Sequence, residues 1–395
     1  MGLPSRFAGR PRIAGPGTGL ATAIALALAF VLSCAPAAGP PAAPPAAPPD
    51  AAAPGGDWQA AWNALVEAAR REGKVVVKGP PTAAVRTALP AAFRERFGVD
   101  LEYIGGPSGD AAIQLASERQ AGIYSTDVIL AGADTMYGPI FEGGMLDPLR
   151  PALIHPDALD AAHWPGGQLW FMDPDRQYVL RLNNSLTQMI YVNTDQVRPE
   201  AIRNWYDLLR PAYQGRIATF DPSISGAGLA TASYLYKTLG EDYVRRLYVD
   251  QQPMFSRDHR QTADWLARGQ YPIAVALREV EFAQIKRDGF PVAPVPQPSD
   301  APGHVSAGFG LLGLLNNAPH PHAAQLFVNW IAGPDGMLVW SKAQGIVPVR
   351  DDVDASYARD QVPDPAVTNY FDSFEWSFVL TERAQIMREL RSLIR

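Results

Sequence analysis

The sequence predicts an α/β protein in which helices cover mainly parallel sheets. Three observations carry that expectation. Between residues 74 and 135, an apolar run, a Gly/Ser/Asp-rich loop and a helix-period segment recur three times in that order, the pattern of parallel strands joined by crossover helices. A second series of strand and helix signals begins near Asn193. The 395 residues are 47% hydrophobic and only 19% charged, which suits a sizeable core shared by two or three domains.

The same composition excludes several classes. So apolar a chain is not disordered. A net charge of −6 has the wrong sign for a nucleic-acid binder. A single cysteine, Cys34, excludes an intramolecular disulfide and any multi-thiolate metal site.

The elements follow in chain order, beginning with a segment outside the fold. Arg6, Arg10 and Arg12 form a basic start, and Leu20 to Leu32 is an apolar run. That run is too short to span a bilayer, which takes about 20 residues, but it fits the core of a secretory signal. It ends in Val31-Leu32-Ser33-Cys34, which resembles the lipobox of bacterial lipoproteins. The resemblance implies a signal at residues 1–33 and acylation of Cys34. Residues 34–56 are nearly all Ala, Pro and Gly. Such a stretch builds no core and reads as a semi-rigid tether. Removing residues 1–33 takes away three basic side chains and no acid, so the remainder is more acidic still. The lipid, not charge, would then hold the protein at the membrane.

From Trp58, WQAAWNALVEAARREG has helical spacing, with Gly73 as its stop. Strand KVVVKG (74–79), helix AVRTALPAAFRERFG, strand VDLEYI (99–104), helix AAIQLASERQAG and strand DVILA (127–131) follow. In parallel sheets, ligands bind at the carboxyl ends of strands. Those ends carry Thr82, then Gly106-Pro107-Ser108-Gly109-Asp110, then Asp134. The second series reads as helix 204–209, strand GRIATF (215–220) and helix LATASYLYKTLG. Helices YVRRLYVDQ and RQTADWLARG, and strand YPIAVAL (271–277), complete it. A proline-rich passage (290–302), strand GFGLLGLL, helix HAAQLFVNWIAG and a closing helix TERAQIMRELRSLIR end the chain.

Ser223, Ser225, Gly226 and Gly228 stand at a helix start, where free N–H groups and the helix dipole favour an anion. Capping by Ser223 or Ser225 uses the same geometry. Arg278 and Glu279 lie just past YPIAVAL, as cleft residues or as a plain surface ion pair. Tyr191 can stack on a ligand or simply pack. Asp258 reads as a ligand contact or a helix cap. His320-Pro321-His322 can be read as a metal pair, but it more naturally marks a helix N-terminus.

Six segments in order carry a family resemblance: WNALVEAARREGKVVVKG, IQLASERQAGIYSTDVIL, IYVNTDQVRPEAIRNWYDLLRPAYQGRIATFDPSISGAG, DHRQTADWLARGQYPIAVA, HPHAAQLFVNWIAGPDGMLVWSKAQG and VPVRDDV. Together they resemble the extracellular solute-binding proteins of ABC importers, in the group of ferric-ion and thiamine receptors. The resemblance implies a type II periplasmic-binding-protein fold with a ligand cleft between two lobes. Lobe one would take residues 57–188 and 306–395, and lobe two 192–302, with hinge crossings near 188–194 and 305–309. It implies a monomeric, non-enzymatic receptor with no cofactor and no resident metal. Its partners would be a small solute, an ABC permease and that permease's ATPase. The implied solute contacts are Thr82, Ser108, Gly109, Asp134, Tyr191, Ser223, Ser225, Gly226, Arg278 and Glu279. One departure stands out. The ferric receptors hold iron with adjacent tyrosines after this strand, whereas this chain has Arg278-Glu279-Val280-Glu281-Phe282 there and no Tyr-Tyr pair. An organic anion, a phosphorylated compound or a metal chelate fits better than bare Fe³⁺.

Two other classes compete. A surface sensor feeding a signalling partner can use the same fold. An extracellular hydrolase needs a nucleophile and base, but the chain has no G-x-S-x-G elbow and no H-E-x-x-H zinc spacing.

Overall fold

Residues 58–394 are described by a computed structural model. The signal, Cys34 and the tether lie outside the described residues. Among those described, no helix is long and apolar enough to cross a membrane.

The first part of the chain runs α1 (Trp58–Glu72), β1 (Lys74–Gly79), α2 (Ala83–Phe97), β2 (Asp100–Gly105), α3 (Ser108–Gln120) and β3 (Val128–Ala131). The expected strand–loop–helix repeat is therefore present. A short α4 (Ala133–Thr135), a π-type turn, β4 (Leu146–Asp147), α5 (Pro156–Leu159) and β5 (Leu180–Arg181) follow. β1 pairs in parallel with both β2 and β3, and the late strand β13 (Leu311–Leu315) joins antiparallel to β3, β4 and β5. Alternation along the strands decides which face each side chain meets. Val75 and Val77 join Leu89, Phe93 and Phe327 in one core, while Ile129 joins Ala112 and Leu115 of α3 in another. Each fully buried aliphatic side chain contributes about 1.5–3 kcal/mol.

The second sheet has the order β11-β7-β10-β8-β9. Its strands are β7 (Ile190–Asn193), β8 (Ile217–Phe220), β9 (Met254–Ser256), β10 (Ile273–Val275) and β11 (Val292–Pro294). Four helices accompany it: α6 (Ala227–Leu239), α7 (Glu241–Arg245), α8 (His259–Ala267) and α9 (Glu279–Arg287). Residues 205–209 form a 3-10 turn closed by an Asn204–Asp207 capping box. β11 lies inside the proline-rich passage, where the sequence reading assigned no strand. Its position at the sheet edge explains why Pro294 is tolerated there.

A small third sheet stands where the chain passes between the two large ones. It pairs β12 (His304–Ser306) with β6 (Ser185–Leu186) and β14 (Phe371–Asp372). His304 is buried there, edge-on to Tyr234 of α6 and parallel to Phe371. Neither of its ring nitrogens has a hydrogen-bond partner.

α10 (Pro321–Ala332) and α11 (Pro334–Gln344) are separate helices, broken at Gly333-Pro334. His320 is the N-cap residue of α10, as the helix-start reading expects. Its amide and its Nδ1 both meet the buried Asp127 carboxylate, at 2.8 and 2.9 Å, and the Val76 amide donates to it at 2.7 Å. His322 bonds Glu72 instead. The two histidines therefore serve different carboxylates: His320 ties the start of α10 to the sheet and His322 ties it to α1.

A second difference concerns the C-terminus. The sequence placed residues 306–395 together with the first sheet, yet α12 (Ala384–Leu393) packs on α6 of the second. The turn before it, Phe378–Arg383, touches α4. The segment therefore touches both bodies, with Ile386 and Leu390 of α12 buried in the shared core.

Candidate functional site

Two groups of loops leave the carboxyl ends of parallel strands, one group in each large sheet. In the first, the Tyr103 hydroxyl donates to Pro80 O at 2.9 Å and Arg86 donates to Gly105 O at 2.7 Å, so the loops after β1 and β2 are fixed to each other. Thr82 is buried and donates from Oγ1 to Gln344 at 3.0 Å. It is held by α11. Ser108 opens α3 with a buried hydroxyl that has no partner, beside the exposed Gly109. Asp134 pairs with Arg383 at 2.9 Å and keeps about a quarter of its side chain exposed.

Lys78 is the charged residue that composition gave no reason to single out. It lies near the end of β1, is 1% exposed and donates to Gln114 at 2.9 Å. Burial pushes its amine pKa down, with Glu118 opposing.

In the second group, Asp221 organises the loop after β8. It accepts from the Ser223 amide (2.8 Å), the Ser223 hydroxyl (2.6 Å) and Arg257 Nε (2.9 Å). Burial works to raise its pKa, but these bonds outweigh it and hold the carboxyl below the ordinary range. Ser223 is thus turned to Asp221 and does not cap the helix. The N-cap of α6 is Gly226, with φ +132°, and no side chain caps this end. Ser225 and Gly226 are exposed. Gly228 must be small, since a Cβ there would lie 2.4 Å from Phe220 O and 2.7 Å from Asp221 O. That close approach seats the start of α6 on the end of β8.

Arg278 and Glu279 do not pair with each other, which corrects the expected ion pair. Arg278 forms a two-point contact with Glu281, including Nε to Oε2 at 2.9 Å. The geometric reason is local: Arg278 is the N-cap of α9, and the residue three positions on lies above it. Glu279 instead accepts from the Gln188 amide, in the crossing segment between the sheets. Burial, aided by Glu281, pushes its pKa up to about 7 against these hydrogen bonds and Arg278.

Tyr191 takes the packing alternative and not the ligand contact. It is 1% exposed and stacks on Phe282 at 4.3 Å, so its ring belongs to the core beneath α9. A residue missed by the sequence reading, His259, stacks on Phe220 at 4.0 Å. Burial, then Arg278, pushes its pKa down to about 3, so the ring is neutral. Its neighbour Asp258 caps α8 by accepting from the Arg260 amide. The i,i+3 spacing of Arg278 and Glu281 was a readable signal; the His259–Phe220 stack was not, because it joins distant segments.

The two loop groups are tied across by the C-terminal helix. Arg383 reaches Asp134, and Arg391 donates to Ser223 O at 2.9 Å. These arginines stand eight positions apart along the helix, about 12 Å of axis. A groove of about 390 Å³ elsewhere, lined by Trp62, Phe97, His155 and Trp330, takes no residue from the second sheet and cannot be bridged by both bodies. Among the described residues, His163, Asp351 and Asp352 are close enough to share a metal ion, but Asp352 is already gripped at two points by Arg350.

The chain matches a family described as bacterial extracellular solute-binding protein over residues 88–369. Its fold is that of type II periplasmic binding proteins, shown by several solved structures. One is the periplasmic binding protein P5PA, at 21% identity and TM-score 0.63, covering 82% of this chain and all of that one. Another is AfuA from Actinobacillus pleuropneumoniae with exogenous fructose-6-phosphate bound, at 18% identity and TM-score 0.64, covering 82% and 98%. Iron-bound HitA from Pseudomonas aeruginosa, at 18% identity and TM-score 0.59, covers 80% and 99%. No curated relative matches the chain in sequence.

Proposed function

Because the chain belongs to the bacterial extracellular solute-binding proteins, we propose that it captures a small anionic or chelated solute by closure of two lobes. Lobe one comprises residues 57–188 with most of 306–395, and lobe two comprises 192–302. The observation that carries this reading is the pair of loop groups at strand carboxyl ends, one per sheet, joined through Asp134–Arg383 and Ser223–Arg391. Ser108, Gly109 and Asp134 face the solute from one side. Ser225, Gly226 and Arg278 face it from the other. The uncapped start of α6 offers backbone N–H groups and a positive dipole end to an anion.

Capture follows from differential contact: a solute touching both groups stabilises the closed arrangement over the open one. The closed form would dock on an ABC permease and its ATPase, with the acylated Cys34 and the tether keeping the receptor at the membrane as a monomer. AfuA has fructose-6-phosphate bound and HitA has iron bound. The absent tyrosine pair favours the organic anion or chelate here. A panel of sugar phosphates, phosphonates, other organic anions, ferric chelates and free Fe³⁺ tests this by tryptophan fluorescence and melting temperature. At least one anion or chelate should shift both signals and free Fe³⁺ should not. Silence across the panel, or a response to free Fe³⁺ alone, overturns the proposal.

A further inference from the structure

We propose that the C-terminal segment 378–394 is a strap that sets the separation of the Asp134 and Ser223 loops. It would have to yield at one end for the lobes to move. The significance of those loops rests on the reading above, but the coupling is a mechanical matter that needs no solute.

The strap is anchored at both ends. On α6 the attachment is broad. Ile386 and Leu390 share one apolar core with Leu229, Ala232 and Leu235. Polar contacts edge it: Lys237 pairs with Glu382, Tyr236 bonds Glu389, and Arg391 donates to Ser223 O. At the other end Phe378 and Val379 are buried as well, and the turn they form touches α4. Arg383, 5% exposed, donates to Asp134 and to Ser373 O, and Asp134 itself stays partly in solvent. Arg383 Nε is buried without a partner, so the guanidinium keeps a donor for an acceptor that arrives or shifts.

Apolar seams at both ends resist sliding because interiors are close-packed. Asp134–Arg383 ties one end to its loop and Arg391–Ser223 O ties the other. Arg383 is a positioning residue in this account: it places Asp134 and couples it to a loop about 12 Å away along the helix.

Hydrogen exchange of the full chain, with no solute added, tests the strap. Asp134→Asn should speed exchange several-fold in peptides covering 222–230 as well as locally at 132–136. A second variant, Arg391→Ala, removes only an exposed contact at the far end and keeps the fold. It should speed exchange at 132–136. If each variant changes only its own neighbourhood, the strap is refuted. Should Asp134→Asn loosen the whole protein, the Arg391→Ala variant alone decides. A negative result here leaves the solute-binding reading standing, because the solute panel tests that separately.

Discussion

Replacing His304 by leucine should remove a defined part of the protein's acid sensitivity. The imidazole is 3% exposed, lies on β12 between Tyr234 and Phe371, and has no partner at either nitrogen. Burial, then the Arg383 and Arg181 guanidiniums, pushes its pKa from 6.5 down to about 3. The folded chain holds the ring neutral, while the unfolded chain takes up a proton as pH falls below 6.5. Its contribution is therefore complete above that value and is lost towards acid. Between about pH 8 and about pH 5 the loss from this one group is about 2 kcal/mol. His259 acts in the same direction, and Glu279, whose pKa is raised to about 7, acts in the opposite one. Both remain in the variant, so the difference between proteins isolates His304. Urea unfolding of wild type and His304→Leu at the two pH values gives that difference. The wild type should lose about 2 kcal/mol more than the variant on acidification. Equal losses would refute the neutral, unpartnered imidazole.

Two other substitutions follow from the packing. Asp127→Ala strands three donors from β1 and α10 and should lower stability by about 3–5 kcal/mol in the same urea assay; a loss below about 1 kcal/mol would contradict its role as the pin between them. Gly228→Ala forces a Cβ against the Phe220 and Asp221 carbonyls and should cost about 1–3 kcal/mol. It should also weaken capture of whichever panel solute binds, since the start of α6 moves with it. Unchanged affinity in a folded variant would argue against α6 as a solute contact.

Much of the fold was legible because it rests on periodicity and stop signals. β1 to β3 and their helices fall where apolar runs and glycines place them, and the strand and helix signals from Asn193 onward marked the second sheet. β11 escaped notice because an edge strand can carry proline. The C-terminal helix was assigned to one body because sequence shows which face is apolar but not what covers it. The candidate site was legible as loops rather than as contacts. Thr82, Tyr191 and Ser223 have the right residue types at the right strand ends. Their side chains are nonetheless spent on Gln344, Phe282 and Asp221 respectively. Arg383 and Arg391 carry no local motif, and only the folded chain brings them to Asp134 and Ser223.

Native mass spectrometry of the full chain, purified without refolding, addresses solute capture most directly. The account predicts a protein peak accompanied by a second species heavier by the mass of one small anion or chelate. That increment should disappear on denaturation and be weakened by Arg278→Ala. A bound mass that both Arg278→Ala and Gly228→Ala leave unchanged would contradict the account. So would a chain that stays bare and takes up nothing from the solute panel.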